Sequence, residues 1–267
     1  MSAIAITARV CAVIRMEIKM DEKYKYSDVS IKSPIVTKLE NFWYHYKWHS
    51  IIAAFLVVVL IICSFQMCTR TTYDVHILYA GAHKLEKTSS DGDLSPFLGT
   101  VSSLKRISED FDENGSVDVN LLDLFVMTSE EISEFYNDEN NVGKEINEIQ
   151  IRDNTDTLES TLLIGNYYVC FLSEALFQKY EELHNGALFA DLSPYISEGV
   201  EYEYASERGI YIRSLDFYSM PYISELPDDT VVCIRRLSDV SGLFGGGEAE
   251  ESFRRAEILM REILGVN

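Results

Sequence analysis

The sequence predicts an α/β domain with a mixed sheet and flanking helices, preceded by one transmembrane helix. Three observations carry that expectation. An unbroken apolar run occupies residues 51 to 63 and stays uncharged as far as Arg70. Beyond it, short β-branched and aromatic runs alternate with stretches of helical periodicity, as in a sheet covered by helices. The composition, 47% hydrophobic with 5 Pro and 14 Gly in 267 residues, supports a packed core.

The apolar run reads IIAAFLVVVLIIC, and Ser64, Phe65, Gln66, Met67 and Cys68 continue it without charge. At about 1.5 Å per residue, about 17 to 19 helical residues cross a hydrocarbon core of about 30 Å. Trp43, Tyr44, Tyr46 and Trp48 surround Lys47 just before it, as an aromatic belt at a headgroup layer does. The segment before the helix carries a net charge of +3 and the segment after it −23. Basic residues are retained in the cytoplasm, so the expected organisation is a cytoplasmic tail at 1–49, a signal-anchor helix at 50–68 and an extracytoplasmic α/β domain at 69–267. No small-residue cleavage pair follows the run, and Phe65, Gln66 and Met67 before Cys68 do not make a lipobox. Met20 opens a second ordinary-looking start (MDEKYKYSDVS), and no function is attached to Met1 through Lys19.

Only Thr69 to Thr72 precede the first strand, Tyr73-Asp-Val-His-Ile-Leu-Tyr-Ala, which places the domain close to the bilayer. Ser95 as N-cap and Pro96 at the first helical position open an amphipathic helix through Phe97, Val101, Leu104, Ile107 and Phe111. Val117 to Met127 reads as a strand entering the middle of a sheet. Thr128 and Glu131 form a capping box for a short helix, which the acidic stretch at 137–141 ends. A helix from Thr155 to Ile164 stops at Gly165. A strand then covers Tyr167 to Leu172, Ser173 caps a further helix, and Asn185-Gly186 ends it. Val200 to Tyr204 and Ile210 to Arg213 form a hairpin with a loop of four or five residues. Val231 to Arg236 is the last strand, and a flexible glycine-rich loop at 242–247 leads into a final helix from about Glu248 to Leu264.

Chemistry-bearing motifs are few. Asp110, Asp112, Asn114 and Asp118, with Gly115 at the sixth position, match a calcium loop, in which carboxylates replace water around a hard cation and the glycine makes the sharp turn. The twelfth position is Leu121 instead of a bidentate Glu, so the same residues also fit an Asn-Gly turn between a helix and a strand. Extracellular calcium is near millimolar and would fill even a low-affinity site. Tyr202, Tyr204, Tyr211 and Tyr218 are candidates for a ligand-binding surface, since tyrosine joins an apolar body to a polar tip; ordinary hairpin packing also uses such residues. Cys170 and Cys233 lie inside apolar strands and read as small core hydrophobes, with a disulfide as the alternative. No zinc motif, nucleophile elbow or P-loop is present, and no catalytic residue or organic cofactor is expected.

The aromatic entry Trp43-Tyr-His-Tyr-Lys47-Trp48-His49, the strand Tyr73-Asp74-Val-His-Ile77-Leu-Tyr79-Ala-Gly81 and the segment Gly165-Asn-Tyr-Tyr-Val-Cys-Phe-Leu-Ser173 carry a resemblance. The chain resembles uncharacterised single-pass membrane proteins of Gram-positive bacteria. Its outer part is similar to half of an extracellular solute-binding protein, although the residues after the helix are few for a complete two-lobed one.

The expected function is therefore a non-enzymatic, membrane-anchored extracytoplasmic module that binds a small molecule, a cell-wall component or another membrane protein. A structural subunit of a membrane complex would instead show an apolar patch and no pocket, and a surface hydrolase would gather acidic groups of shifted pKa. With 43 acidic against 23 basic residues, nucleic acid is excluded as a partner.

Overall fold

The computed structural model describes residues 34–68, 72–88, 94–197, 199–237 and 239–266. The chain divides into two compact units, Met1–Arg70 and Thr71–Asn267. Expectations for the tail through residue 33, for a start at Met20 and for the link at 69–71 lie outside the described residues.

In the first unit, α1 (Pro34–Cys68) is one continuous helix of 35 residues, so the aromatic entry and the apolar run belong to the same element. Its stretch Phe42–Phe65, 24 residues, is long and apolar enough to cross a membrane and is 0% buried. A core helix of a soluble protein would be mostly covered, whereas bare apolar surface of this length is consistent with membrane anchoring.

The second unit is built on a six-stranded mixed sheet in the order β2-β1-β3-β6-β5-β4. Its strands are β1 (Val75–Gly81), β2 (Val119–Phe125), β3 (Val169–Ser173), β4 (Tyr204–Ser206), β5 (Gly209–Tyr211) and β6 (Thr230–Ile234). β1 pairs in parallel with both β2 and β3, and β3–β6, β6–β5 and β5–β4 are antiparallel. Parallel neighbours need crossovers. Helix α2 (Pro96–Ile107) connects β1 to β2, and α3 (Ser129–Asn137) with α4 (Glu148–Ile164) connects β2 to β3. Helix α5 (Glu174–Leu183) follows β3 directly, and α6 (Asp239–Ile263) closes the chain.

The central strands are apolar at nearly every position because both faces are covered. On one face Val75, Ile77, Tyr79, Val169 and Phe171 pack with Leu104 of α2 and with Leu259, Met260 and Ile263 of α6. On the other, Leu78, Ala80, Cys170, Leu172 and Cys233 pack with Leu158 and Leu162 of α4 and with Leu176, Phe177 and Tyr180 of α5.

Local signals placed several boundaries. Ser95 Oγ accepts from Leu98 N, and the Thr128–Glu131 capping box is present in both directions. Three expectations are corrected. Helix α4 begins at Glu148, because Asn147 is its N-cap and Ile151 already faces the core. The hairpin turns at Glu207 and Arg208, where the Arg208 amide donates to Ser206 Oγ at 3.1 Å, so residues 200–203 precede the strand. Residues 242–247 are helical, within α6. Each interior glycine costs a helix about 1 kcal/mol, and burial of Ala256, Leu259, Met260 and Ile263 farther along α6 offsets that cost.

Candidate functional site

In the parallel half of the sheet, β1 hands the chain to its β2 side, whereas β3 hands it toward β6. Open α/β sheets bind ligands outside the carboxyl ends of strands at such a switch point. Here those ends are Gly81 and Ser173. A Cβ on Gly81 would lie 3.3 Å from Ser173 Cβ, so the missing side chain lets the strand ends close up. Ser173 is the N-cap of α5 but makes no side-chain cap bond. Its side chain falls on the face of Val169 and Phe171 by strand alternation, and it is only 8% exposed. Ser173 Oγ is buried without a hydrogen-bond partner among the described residues, and so is Asp123 Oδ1 on β2.

Asp123 lies on the same face, opposite Tyr79 in the β1–β2 register. Burial holds its carboxyl above the usual carboxylate range, against the pull of Lys87, the Leu85 amide, Lys84 and His83. Asp229, just before β6, is likewise raised, first by burial and then by Asp228 and Glu174, with Arg213 acting against them. Between these acids stands Tyr79, 2% exposed, whose phenol is pushed upward by burial, by Asp123 and by Asp229. The carboxyl end thus gathers a serine hydroxyl, a phenol and two reluctant carboxylates, with cations on the β1 side and acids on the β6 side.

A second cluster lies near the amino end of β1. The Asp110 carboxylate accepts from Asn114 N at 3.2 Å and Gly115 N at 2.8 Å, while Asp112 accepts from Asn114 N and from the Thr72 hydroxyl. Glu113 and Gly115 adopt positive φ, 55° and 88°, which the glycine makes easy. Asp74 completes this cluster: one oxygen each from Asp74, Asp110 and Asp112 lie within 4.8 Å of one another. Asp74 is 2% exposed, and its carboxylate accepts from the amides of Phe111, Asp112 and Asp118. The other two expected ligands turn elsewhere. Asn114 Oδ1 accepts from Ser116 N and Oγ, and Asp118 Oδ1 pairs with Lys105 Nζ at 2.8 Å.

The four tyrosines do not share one surface, although Tyr202 and Tyr204 meet edge to face with ring centroids 6.2 Å apart. Tyr202 and Tyr218 pack on the Ile77 face and Tyr211 on the Leu78 face. Tyr202 OH donates to Leu264 O and Tyr218 OH to Leu226 O, while Tyr211 lies under the Arg213 guanidinium at 4.2 Å. Tyr204 alone is fully at the surface, 45% exposed.

Sequence reasoning missed Asp74, Asp123, Ser173 as an unbonded hydroxyl, and Asp229. The available signal was Asp123 itself, a lone acid inside the apolar strand Val119–Phe125. No family model, curated protein or solved structure matches the chain.

Proposed function

We propose that this chain is a membrane-anchored binding module whose ligand site lies at the carboxyl ends of β1 and β3. The observation that carries the reading is Ser173 Oγ, buried and unpartnered at the sheet's switch point. A buried polar atom left unpaired costs about 1–3 kcal/mol, which a ligand hydrogen bond would recover. The surrounding charges select the ligand class. An anion would meet Asp123, Asp229 and Glu174, and a cation would meet Lys84, Lys87 and His83. A neutral molecule rich in hydroxyl groups, such as a sugar, meets hydroxyl and carboxyl partners without either conflict.

Thermal unfolding of the full chain in detergent, against mono- and disaccharides including N-acetylglucosamine, with glycine and phosphate as controls, tests the reading. A sugar should raise the midpoint, and Asp123→Asn and Ser173→Ala should each abolish the rise. A panel that leaves the midpoint unmoved, or a rise surviving both substitutions, rejects it.

The cluster of Asp74, Asp110 and Asp112 supports a second, compatible reading, a calcium ion bound by the 110–118 loop. An oxygen that accepts one N–H keeps a lone pair for a cation, and calcium tolerates irregular shells of 6–8 oxygens, about the number such a loop and water supply. Calcium against EDTA in the same assay is its test.

A further inference from the structure

We infer that Cys170 and Cys233 are a disulfide-forming pair, joined when the chain folds in the presence of a disulfide oxidant. They stand directly opposite each other on antiparallel β3 and β6. Arg235 N donates to Tyr168 O at 2.8 Å, which marks the Tyr168–Arg235 pair as hydrogen-bonded. Pair type alternates along an antiparallel ladder, so Cys170–Cys233, two residues on, is also hydrogen-bonded, with Cα atoms about 5.5 Å apart. That is inside the range of about 4.4–6.8 Å found across disulfides. Both side chains enter the same apolar cluster.

Closing the bond draws the two strands together, because Cβ atoms of an opposed hydrogen-bonded pair lie toward the long end of about 4.5–5.5 Å, against about 3.5–4.5 Å across a disulfide. As thiols the two groups make only long contacts to backbone oxygens, Cys233 Sγ to Cys170 O at 3.6 Å and Cys170 Sγ to Tyr168 O at 3.7 Å. Both residues are 0% exposed, so the reaction belongs to the folding chain before β6 closes on β3. The thiolate of one cysteine attacks the oxidant's disulfide, giving a mixed disulfide and one released thiol. The second cysteine's thiolate then attacks the protein sulfur of that mixed disulfide, forming the Cys170–Cys233 bond and releasing the second thiol. The pair loses two electrons and two protons, and the oxidant becomes two thiols.

The bond would close a loop of 63 residues across the boundary where the parallel half of the sheet meets the antiparallel half. It lies two rows from Leu172–Val231 and three from Ser173–Thr230, so it ties β3 to β6 on the approach to the carboxyl end of β3.

The test uses the full chain, reduced and unfolded, then refolded into detergent micelles with a mixture of oxidised and reduced glutathione. The product is alkylated under denaturing conditions without reductant and mapped by mass spectrometry. The expected product is one cross-linked species joining the Cys170 and Cys233 peptides, lighter by two hydrogens. Its thermal midpoint should exceed that of the reduced chain, and Cys170→Ala and Cys233→Ala should each remove that difference. Alkyl label on both Cys170 and Cys233 after refolding, or a link from either to another cysteine, overturns the inference. If a chain refolded without oxidant melts cooperatively yet no link forms with it, loss of fold is ruled out as the cause.

Discussion

The guanidinium of Arg235 lies 4.4 Å from the centre of the Tyr168 ring, and both residues are shut off from solvent, at 1% and 0% exposure. Among the described residues no carboxylate shares the site. Arg235 instead donates to the carbonyls of Leu162, Leu163, Gly165 and Tyr167, the last turn of α4 and the link into β3. A helix leaves its last carbonyls unsatisfied and carries partial negative charge there, so one buried cation answers both demands. Arg235→Met should therefore destabilise the domain by about 3–5 kcal/mol, since several buried acceptors lose their donor together. Arg235→Lys should recover only part of this, because an ammonium cannot reproduce the planar fork. Chemical denaturation measures both, and a loss below about 1 kcal/mol for Arg235→Met would contradict the role.

Asp123 is expected to behave in the opposite way. Its carboxyl is raised by burial, so the folded state disfavours its charge. A carboxyl with a raised folded pKa stabilises most below its ordinary value of 3.8 and loses that contribution as pH rises through the folded value. Asp123→Asn removes the charge, and at neutral pH it should stabilise the chain, on the order of 1 kcal/mol, while abolishing the sugar-induced rise in midpoint. Stability gained with ligand response lost is the signature of a site residue. A variant that is less stable and still responds to sugar would mark Asp123 as structural.

How much of this was legible in the sequence depended on the distance over which each signal acts. Ser95–Pro96 and Thr128–Glu131 are complete within one helical turn, and both caps form where the sequence puts them. The mixed sheet was legible from the alternation of elements, although its strand order was not. Asp74 went unread because its meaning comes from amides 37 to 44 residues away. Asp123 and Ser173 acquire theirs only when β2, β1 and β3 align. The glycines at 242–247 misled for the converse reason, since local propensity yielded to packing elsewhere along α6.

His76 supplies a pH dependence. Asn120 Nδ2 lies 3.1 Å from His76 Nδ1 and 3.0 Å from Tyr167 OH, and Tyr73 and Tyr167 flank the imidazole. Burial, and then the Arg255 charge, hold its pKa below the ordinary 6.5. A histidine depressed in the folded state stabilises most above 6.5, because only the unfolded chain takes the proton as pH falls below that value. The contribution disappears as pH drops through the folded pKa. The unfolding midpoint should therefore decline on acidification from pH 6.5, more steeply in the wild type than in His76→Gln. Equal slopes for the two chains would remove His76 as the cause.

Asp74 and Asp112 separate the scaffold of the acidic loop from its capacity for calcium. Asp74 Oδ1 accepts from Phe111 N at 2.8 Å and Asp112 N at 3.3 Å, and Oδ2 accepts from Asp118 N at 2.7 Å. These bonds tie the start of β1 to both ends of the loop and need no ion, so Asp74→Ala should cost about 2–4 kcal/mol in EDTA, as several buried amides lose a charged acceptor. Asp112 is exposed, and its bonds to Thr72 Oγ1 and Asn114 N survive in kind when an amide replaces the carboxylate. Asp112→Asn should thus melt close to the wild type in EDTA, as exposed substitutions generally do. In calcium it should lose most of any rise the wild type shows, because a hard cation requires the charged oxygen. Thermal unfolding of the three chains with EDTA and with calcium decides the matter. A calcium-induced rise that persists in Asp112→Asn places the ion elsewhere. A wild type indifferent to calcium leaves Asp74 as a purely structural staple between strand and loop.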